Sequence, residues 1–139
     1  MNFIQHDIVL PEFSKGFHLI TNNICNEINL SSISKGLCHL FLQHTSASLA
    51  INEKADPDVR QDLDAFFDNF CPQNTPYFKH TYEGFDDMPA HIKSVTIGQS
   101  LTIPIKNGNL HLGTWQGIYL CEHRVSVHQR NITVTGLGS

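Results

Sequence analysis

The sequence has no long apolar run, no cluster of basic residues and no leader-like N-terminus. Its apolar stretches stay far short of the roughly 20 residues that cross a bilayer. Residues 1–10 mix polar and apolar side chains and lack the basic and apolar regions of a signal peptide. A net charge of −4 offers nucleic acid no overall attraction. We therefore expect a cytoplasmic protein that binds neither membranes nor nucleic acid.

Closely spaced cysteines are also absent. Cys25, Cys38, Cys71 and Cys121 form no C-x-x-C pair, so neither a zinc knuckle nor a redox disulfide is indicated, and we expect buried thiols. The 139 residues, 40% hydrophobic and 16% charged, have the composition of a globular protein. The chain is too short for a (β/α)₈ barrel, which needs about 250 residues. We expect one domain over residues 1–139.

The periodicity of apolar residues predicts strands at both ends of the chain and helices between them. Predicted strands cover residues 3–10, 17–20, 37–44, 45–51, 100–105, 110–123 and 125–135. Predicted helices cover residues 21–30, 57–70 and 89–95. We expect the first two strands to pair. The expected fold is α+β: a single compact domain with an antiparallel or mixed, sandwich-like β-sheet and two or three helices packed on it.

The second helix has the clearest start signal, with Asp56 as its N-cap and Pro57 at the first helical position. Its apolar residues recur on one stripe, which predicts that this face packs in the core. The stripe consists of Val59, Leu63, Phe66, Phe67 and Phe70. Further along, Asn107-Gly108 is typical of a tight hairpin turn.

The long predicted strand 110–123 carries an unusual carboxylate. Glu122 shares a face with Ile118 and Leu120, because alternate residues of a strand point the same way. A buried carboxylate must be paired, protonated or bound to a metal. The structural alternative to a functional role is an ion pair with Arg124.

The stretch from His80 to His91 contains two imidazoles and three carboxylates within twelve residues. Imidazole nitrogen and carboxylate oxygen bind Zn²⁺ and similar ions, and the same groups act as general acids and bases. A helix that starts near Pro89 would hold His91 rigidly. The alternative is that Asp86 or Asp87 caps this helix and the histidines lie on the surface. Capping accounts for one aspartate and leaves the other ionisable groups unexplained.

His44 is a second candidate, since it ends a strand whose other side chains on that face are apolar. A lone histidine there is more often a core residue bonded to a backbone carbonyl. The neighbouring hydroxyls of Thr45, Ser46 and Ser48 favour a site, because they can donate to a phosphate or carboxylate. Glu53, just before the second helix, could cap, ligate or do neither.

Several motifs, in order along nearly the whole chain, resemble the YjbQ family, also called the secondary thiamine-phosphate synthase or UPF0047 family. They are His44-Thr-Ser-Ala-Ser-Leu, Asn52-Glu with Asp56-Pro-Asp-Val, Glu83-Gly with Asp86-Asp-Met-Pro-Ala-His-Ile-Lys93, Ile103-Pro-Ile, and Leu112-Gly-Thr-Trp-Gln-Gly-Ile118 with Glu122.

The resemblance implies a homotrimer with a metal-associated site near the histidine motifs. The metal would be a divalent ion, Zn²⁺ before Mn²⁺ or Mg²⁺, since imidazole ligands favour zinc over magnesium. Candidate ligands are His44, His80 and His91, and candidate catalytic carboxylates are Glu53, Asp86 and Glu122. Candidate substrate-binding residues are Thr45, Ser46, Ser48, Lys93, Trp115, Gln116 and Arg124.

The family name implies an enzyme that joins hydroxymethylpyrimidine diphosphate to thiazole phosphate and releases pyrophosphate. Trp115 could stack on a heterocycle, and a divalent ion would stabilise charge on the departing oxygens. Two alternatives remain. One is metal-dependent hydrolysis of a small phosphorylated or acylated molecule, with Glu53 or Glu122 as base. The other is a trimer that binds a metal or metabolite without turnover.

Overall fold

The computed structural model describes residues 1–139 as eight strands and three helices. The strands are β1 (Asn2–Val9), β2 (Gly16–Leu19), β3 (Lys35–Leu42), β4 (Ala47–Glu53), β5 (Ser100–Lys106), β6 (Asn109–Leu110), β7 (Gln116–Glu122) and β8 (Asn131–Gly138). The helices are α1 (Thr21–Glu27), α2 (Pro57–Phe70) and α3 (Asp87–Ile97). No helix has the length and apolar character needed to cross a bilayer.

All strand pairs are antiparallel and form two sheets. The larger sheet has the order β1-β8-β3-β5-β6, and the smaller has the order β2-β7-β4. Side chains from both sheets meet in one buried apolar cluster that includes Leu40, Leu49, Ile118 and Val134. The predicted α+β fold with a sandwich-like sheet is therefore confirmed.

Two strand predictions are wrong because the chain changes sheet. β2 pairs with β7 of the smaller sheet, with Phe17 opposite Cys121, and does not pair with β1. The predicted long strand 110–123 is divided between β6 in one sheet and β7 in the other. The turn between them is held by a 2.8 Å hydrogen bond from the Gly113 backbone N–H to Gln116 Oε1. Glycine at this turn leaves room for the glutamine side chain, which lies 3.2 Å from where a Cβ would be.

Helix α2 begins as predicted, since Asp56 Oδ1 accepts a hydrogen bond from the Asp58 N–H at 2.9 Å. The prediction that its apolar stripe is core is wrong: no residue of α2 is buried, and Phe66 and Phe70 are 61% and 55% exposed. Phe67 does stack on Phe17 of β2, with ring centroids 5.9 Å apart. Because β2 is a four-residue edge strand, it covers only part of the stripe.

Helices α1 and α3 both begin without a side-chain cap bond, although Asp86 occupies the N-cap position of α3. Thr21 Oγ1 makes no cap bond and instead accepts from the Ile118 N–H of β7 at 2.9 Å. Helix α3 starts before Pro89, and neither Asp86 nor Asp87 caps it through a side chain. Both carboxylates are therefore free to form the ion pairs described below.

The Asn107-Gly108 turn is confirmed, because both residues have positive φ values, of 51° and 77°. Among the cysteines, which are all free, Cys25 departs from the prediction of burial because it lies on the outer face of α1. Cys38, Cys71 and Cys121 are buried. Burial raises the pKa of the Cys121 thiol to about 12, so this thiol stays protonated at neutral pH.

Candidate functional site

His80, Asp87 and His91 converge at the start of α3. His80 Nε2 lies 2.6 Å and His91 Nε2 lies 3.1 Å from the same oxygen, Asp87 Oδ2. Helix α3 brings Asp87 and His91 together because residues four apart share a helix face. The three potential ligand atoms all lie within 4.8 Å of one another. The Asp87 side chain is 3% exposed, while the imidazoles of His80 and His91 remain 42% and 30% exposed.

The hydrogen bonds of His91 define which of its nitrogens carries a proton. His91 Nδ1 lies 2.8 Å from the carbonyl oxygen of Thr45, which can only accept, so Nδ1 must donate. In the neutral ring, Nε2 then presents its lone pair to the Asp87 carboxylate oxygen. Two acceptors in contact repel each other unless a proton or a metal ion lies between them. Donation from the second nitrogen to a carbonyl is also the usual arrangement of a metal-binding histidine.

Arg124 orients the Asp87 carboxylate from its other side. Its Nη1 lies 2.8 Å from Asp87 Oδ1, and its Nε donates to Asp86 Oδ2 at 2.9 Å. The Val125 N–H also donates to Asp86 Oδ2, at 2.8 Å. Burial alone would raise the pKa of Asp87, but the neighbouring imidazoles and guanidinium outweigh it and hold that pKa below its usual range. Asp87 is therefore an anion fixed between the Arg124 guanidinium and two imidazoles.

A cleft of about 470 Å³ adjoins the triad through His91 and also contains His44 and Thr45. His44 Nε2 accepts a 2.8 Å hydrogen bond from the Asn131 N–H. Burial and the Arg130 guanidinium lower the pKa of His44, so its ring is neutral and carries its proton on Nδ1. His44 is thus placed as a donor beside the triad and lies outside the convergent ligand group.

Three of the predicted site residues lie at the far end of the smaller sheet. Glu53 ends β4, about 20 Å from Ala47 at the other end at about 3.3 Å per residue. Its carboxylate accepts from the Asp56 N–H at 2.8 Å. Gln116 lies opposite Glu53 in β7, and Trp115 beside it is 63% exposed. Within one chain these residues do not meet the triad.

Of the other predicted site residues, Glu122, Ser46 and Ser48 make buried polar contacts. Glu122 is paired with Arg130, whose Nε and Nη2 lie 2.7 and 2.5 Å from its two carboxylate oxygens, and Arg130 Nη2 also donates to Ser46 Oγ. The suggested partner, Arg124, donates to Glu122 only through its backbone N–H, at 3.2 Å. Ser48 Oγ lies 2.6 Å from His123 Nε2.

Sequence reasoning missed Asp87, Arg130 and His123 as individual members of these clusters. Asp87 had a usable signal, its spacing of four from His91 on a predicted helix. Arg130 and His123 had none, because their partners come from strands far away in the sequence.

Comparison with known proteins places the chain in a family. A family model described as UPF0047 protein YjbQ-like matches residues 6–139. The chain belongs to the YjbQ family. The UPF0047 protein YjbQ of Escherichia coli O157:H7 is 48% identical over 132 residues, which cover 94% of this chain and 95% of that protein. The protein of the same name from Salmonella typhimurium is 50% identical over 132 residues, with the same two coverages.

Solved structures of the YjbQ family share the fold. A YbjQ-like protein from Sulfolobus solfataricus P2, described as of unknown function, has a TM-score of 0.84 at 26% identity and covers 99% of both chains. A YjbQ/UPF0047 protein from Clostridium acetobutylicum has a TM-score of 0.76 at 36% identity, covering 96% of this chain and 99% of that one. The resemblance inferred from the motifs is thus confirmed over almost the whole chain.

The one buried histidine of this YjbQ-family chain, His123, predicts a pH-dependent stability. Burial, followed by the nearby Lys93 and Lys15 ammonium groups, lowers the pKa of His123 to about 3. Since an unfolded histidine has a pKa of about 6.5, only the unfolded chain binds this proton between about pH 6.5 and 3. The contribution of His123 is complete above that window and is lost as the pH falls through it.

We expect His123→Gln to be less stable than the parent at neutral pH, because it disturbs the bond to Ser48. Between about pH 6.5 and 4.5, however, it should lose less free energy of unfolding than the parent. Urea unfolding at both pH values measures the difference, with His111→Gln, at an exposed position, as the control. Equal losses in His123→Gln and the parent would contradict the neutral buried ring.

Proposed function

We propose that this YjbQ-family chain is a metal-dependent enzyme that acts on a small phosphorylated molecule, with His80, Asp87 and His91 as metal ligands. The observation that carries the proposal is the convergence of His80, Asp87 and His91, whose potential ligand atoms all lie within 4.8 Å of one another while His91 Nδ1 is held by the Thr45 carbonyl. Two nitrogens and one oxygen suit Zn²⁺ best, ahead of Mn²⁺ and Mg²⁺. Three protein ligands would leave a position open for substrate.

The groups around the triad are mainly hydrogen-bond donors. When bound, the metal ion would supply Lewis-acid stabilisation of charge developing on phosphate oxygens. Arg124 keeps Asp87 ionised and oriented through its 2.8 Å contact with Oδ1. The Nδ1–H of His44, in the adjoining cleft, makes no bond within the chain and is available to a substrate oxygen.

This arrangement favours displacement of pyrophosphate over hydrolysis. Hydrolysis needs a base for the attacking water, and neither of the two carboxylates considered as that base is available for it. Glu53 lies at the opposite end of β4, and Glu122 is fully buried against Arg130. Departure of pyrophosphate needs charge stabilisation, which the triad and its donors would supply. We therefore propose the coupling of hydroxymethylpyrimidine diphosphate with thiazole phosphate as the reaction.

A homotrimer is part of the proposal, supported by exposed apolar side chains on the larger sheet. Phe3 and Leu37 both lie directly opposite Leu137, so the three side chains form one row across β1, β8 and β3. Their exposed fractions are 65%, 48% and 37% for Phe3, Leu37 and Leu137. A contiguous apolar row of this kind is more typical of an interface than of a free surface.

Incubating zinc-loaded protein with both substrates tests the proposal. We expect phosphorus NMR to show thiamine phosphate and pyrophosphate in equal amounts. His91→Ala should reduce the rate by at least about 100-fold, since removing even an outer partner of a metal ligand costs 10- to 100-fold. His111→Ala, at an exposed histidine remote from the triad in sequence, should leave the rate unchanged.

Other outcomes separate the alternatives. Pyrophosphate released without coupled product would favour the hydrolase. Metal and substrate binding with no product would favour the binding protein without turnover. Sedimentation velocity on the same samples checks the assembly, and a monomer would contradict the trimer.

A further inference from the structure

A second cavity, of about 270 Å³, lies on another side of α3 from the triad. Asp86, Pro89 and Lys93 line it from α3 and the residue before it, and Lys15 and His123 line it from outside the helix. At about 100° per residue, this set and the pair Asp87 and His91 occupy different sides of the helix. The cavity and the triad therefore share one rigid element.

Lys93 brings an incompletely bonded ammonium group to this cavity. The residue is 3% exposed, and its Nζ makes one hydrogen bond, of 2.7 Å, to Asp68 Oδ1. An ammonium group has three N–H donors, so two remain without an acceptor in the chain. A buried charge with unused donors is costly unless a further acceptor approaches it. Lys15, bonded to Asp64 and Asp68 at 2.8 Å each, has one donor left.

His123 presents an unused nitrogen to the same cavity. The residue is 2% exposed, and only Nε2 is bonded, to Ser48 Oγ. No fully shielded side-chain nitrogen or oxygen in the chain lacks a partner. Nδ1 of His123 is therefore not fully shielded, and the residue lines the cavity.

Three carboxylate oxygens on the cavity wall already accept hydrogen bonds. The two oxygens of Asp68 face Lys93 and Lys15, and Oδ2 of Asp86 accepts from Arg124 and from the Val125 N–H. What the cavity offers to a ligand is thus the unused ammonium N–H donors of Lys93 and Lys15, on two of its walls. A group with several acceptor oxygens and negative charge complements such a set.

We propose that this cavity binds a phosphate group of the substrate, held by Lys15 and Lys93. A tetrahedral phosphate can accept from donors that approach from several directions, whereas a planar carboxylate reaches fewer of them. Arg124 joins Asp86 on the cavity wall to Asp87 in the triad, so the two sites are adjacent. The identity of the rest of the ligand rests on the proposed function, but phosphate binding itself does not.

Titration of metal-free, nitrogen-15-labelled protein with inorganic phosphate tests this directly, at constant ionic strength set by chloride. We expect saturable shifts of the amide signals of Cys71, Gln73, Asp86, Lys93 and His123, which line the cavity. Lys93→Met and Lys15→Met should each weaken the affinity at least tenfold. Lys106→Met, which removes an exposed lysine of β5, should leave it unchanged. Two separate lysine variants are used, so that the test stays valid if one of them does not fold.

Three outcomes would contradict phosphate binding in this cavity. They are the absence of saturable shifts in the parent, shifts confined to residues outside the cavity, and equal weakening by Lys106→Met. If the proposed function is wrong but the cavity is right, phosphate will still bind at the cavity, whereas added Zn²⁺ will leave the signals of His80 and His91 unchanged. Metal binding without phosphate binding would refute the cavity alone.

Discussion

Purified His91→Ala protein is expected to lose stoichiometric metal, whereas His44→Ala protein should retain it. His91 Nε2 and Asp87 Oδ2 face each other at 3.1 Å in the convergent group, while His44 Nε2 is bonded to a backbone N–H. Removal of one of three protein ligands should lower the affinity by more than about 100-fold, beyond the 10- to 100-fold typical of an outer partner. Elemental analysis and competition with a chelator measure both variants.

The control for this experiment is the fold of each variant, followed by circular dichroism and thermal unfolding. A folded His91→Ala protein with parental metal content would remove His91 from the ligand set. Loss of metal from folded His44→Ala protein would instead place His44 in that set. A parent that takes up neither Zn²⁺ nor Mn²⁺ would leave the His80, Asp87 and His91 cluster as a proton-sharing network.

Arg130→Met should be strongly destabilising, by about 3–5 kcal/mol, because it leaves a buried carboxylate without its counter-ion. Glu122 is 0% and Arg130 is 3% exposed, and two hydrogen bonds join them. Glu122 and Arg130 also lie at the two ends of the loop that carries Arg124. We therefore expect weaker metal binding as well as lower stability, measured by urea unfolding at neutral pH.

The matched control is Arg60→Met, since Arg60 is half-buried and has no carboxylate partner, and its contacts are with the Lys54 carbonyl, at 3.3 Å, and with Tyr119. Its expected cost is within about 1 kcal/mol, as for most surface contacts. Adding Glu122→Leu to Arg130→Met should recover much of the loss, because an apolar pair replaces an orphaned charge. Equal effects of Arg130→Met and Arg60→Met would show that the pair contributes little.

Local signals in the sequence predicted what depends on neighbouring residues. The Asp56-Pro57 start of α2 and the Asn107-Gly108 turn were readable because each needs only a few adjacent backbone groups. The nearness of His80 and His91 followed from their closeness in the chain. The role of Asp87 was hidden because an aspartate just before a predicted helix is also typical of a helix cap.

Features that depend on distant packing were not predictable in the same way. An apolar stripe shows which face of α2 is hydrophobic, but Phe66 and Phe70 stay exposed because the strand beneath them is short. Alternation suggested Arg124 as the partner of Glu122. However, β7 ends at Glu122, so Arg124 turns toward α3 and Arg130, after the loop, takes its place.

The position of β8 has a consequence for synthesis on the ribosome. This strand is the last in the chain, yet it lies inside the larger sheet, between β1 and β3. β1 has no other partner in the sheet, so its backbone donors and acceptors stay unpaired until β8 has been translated. Pairing between such distant segments is slow, and exposed strand edges invite association with other chains. The nascent polypeptide should therefore expose the unpaired edges of β1 and β3 until β8 emerges from the exit tunnel.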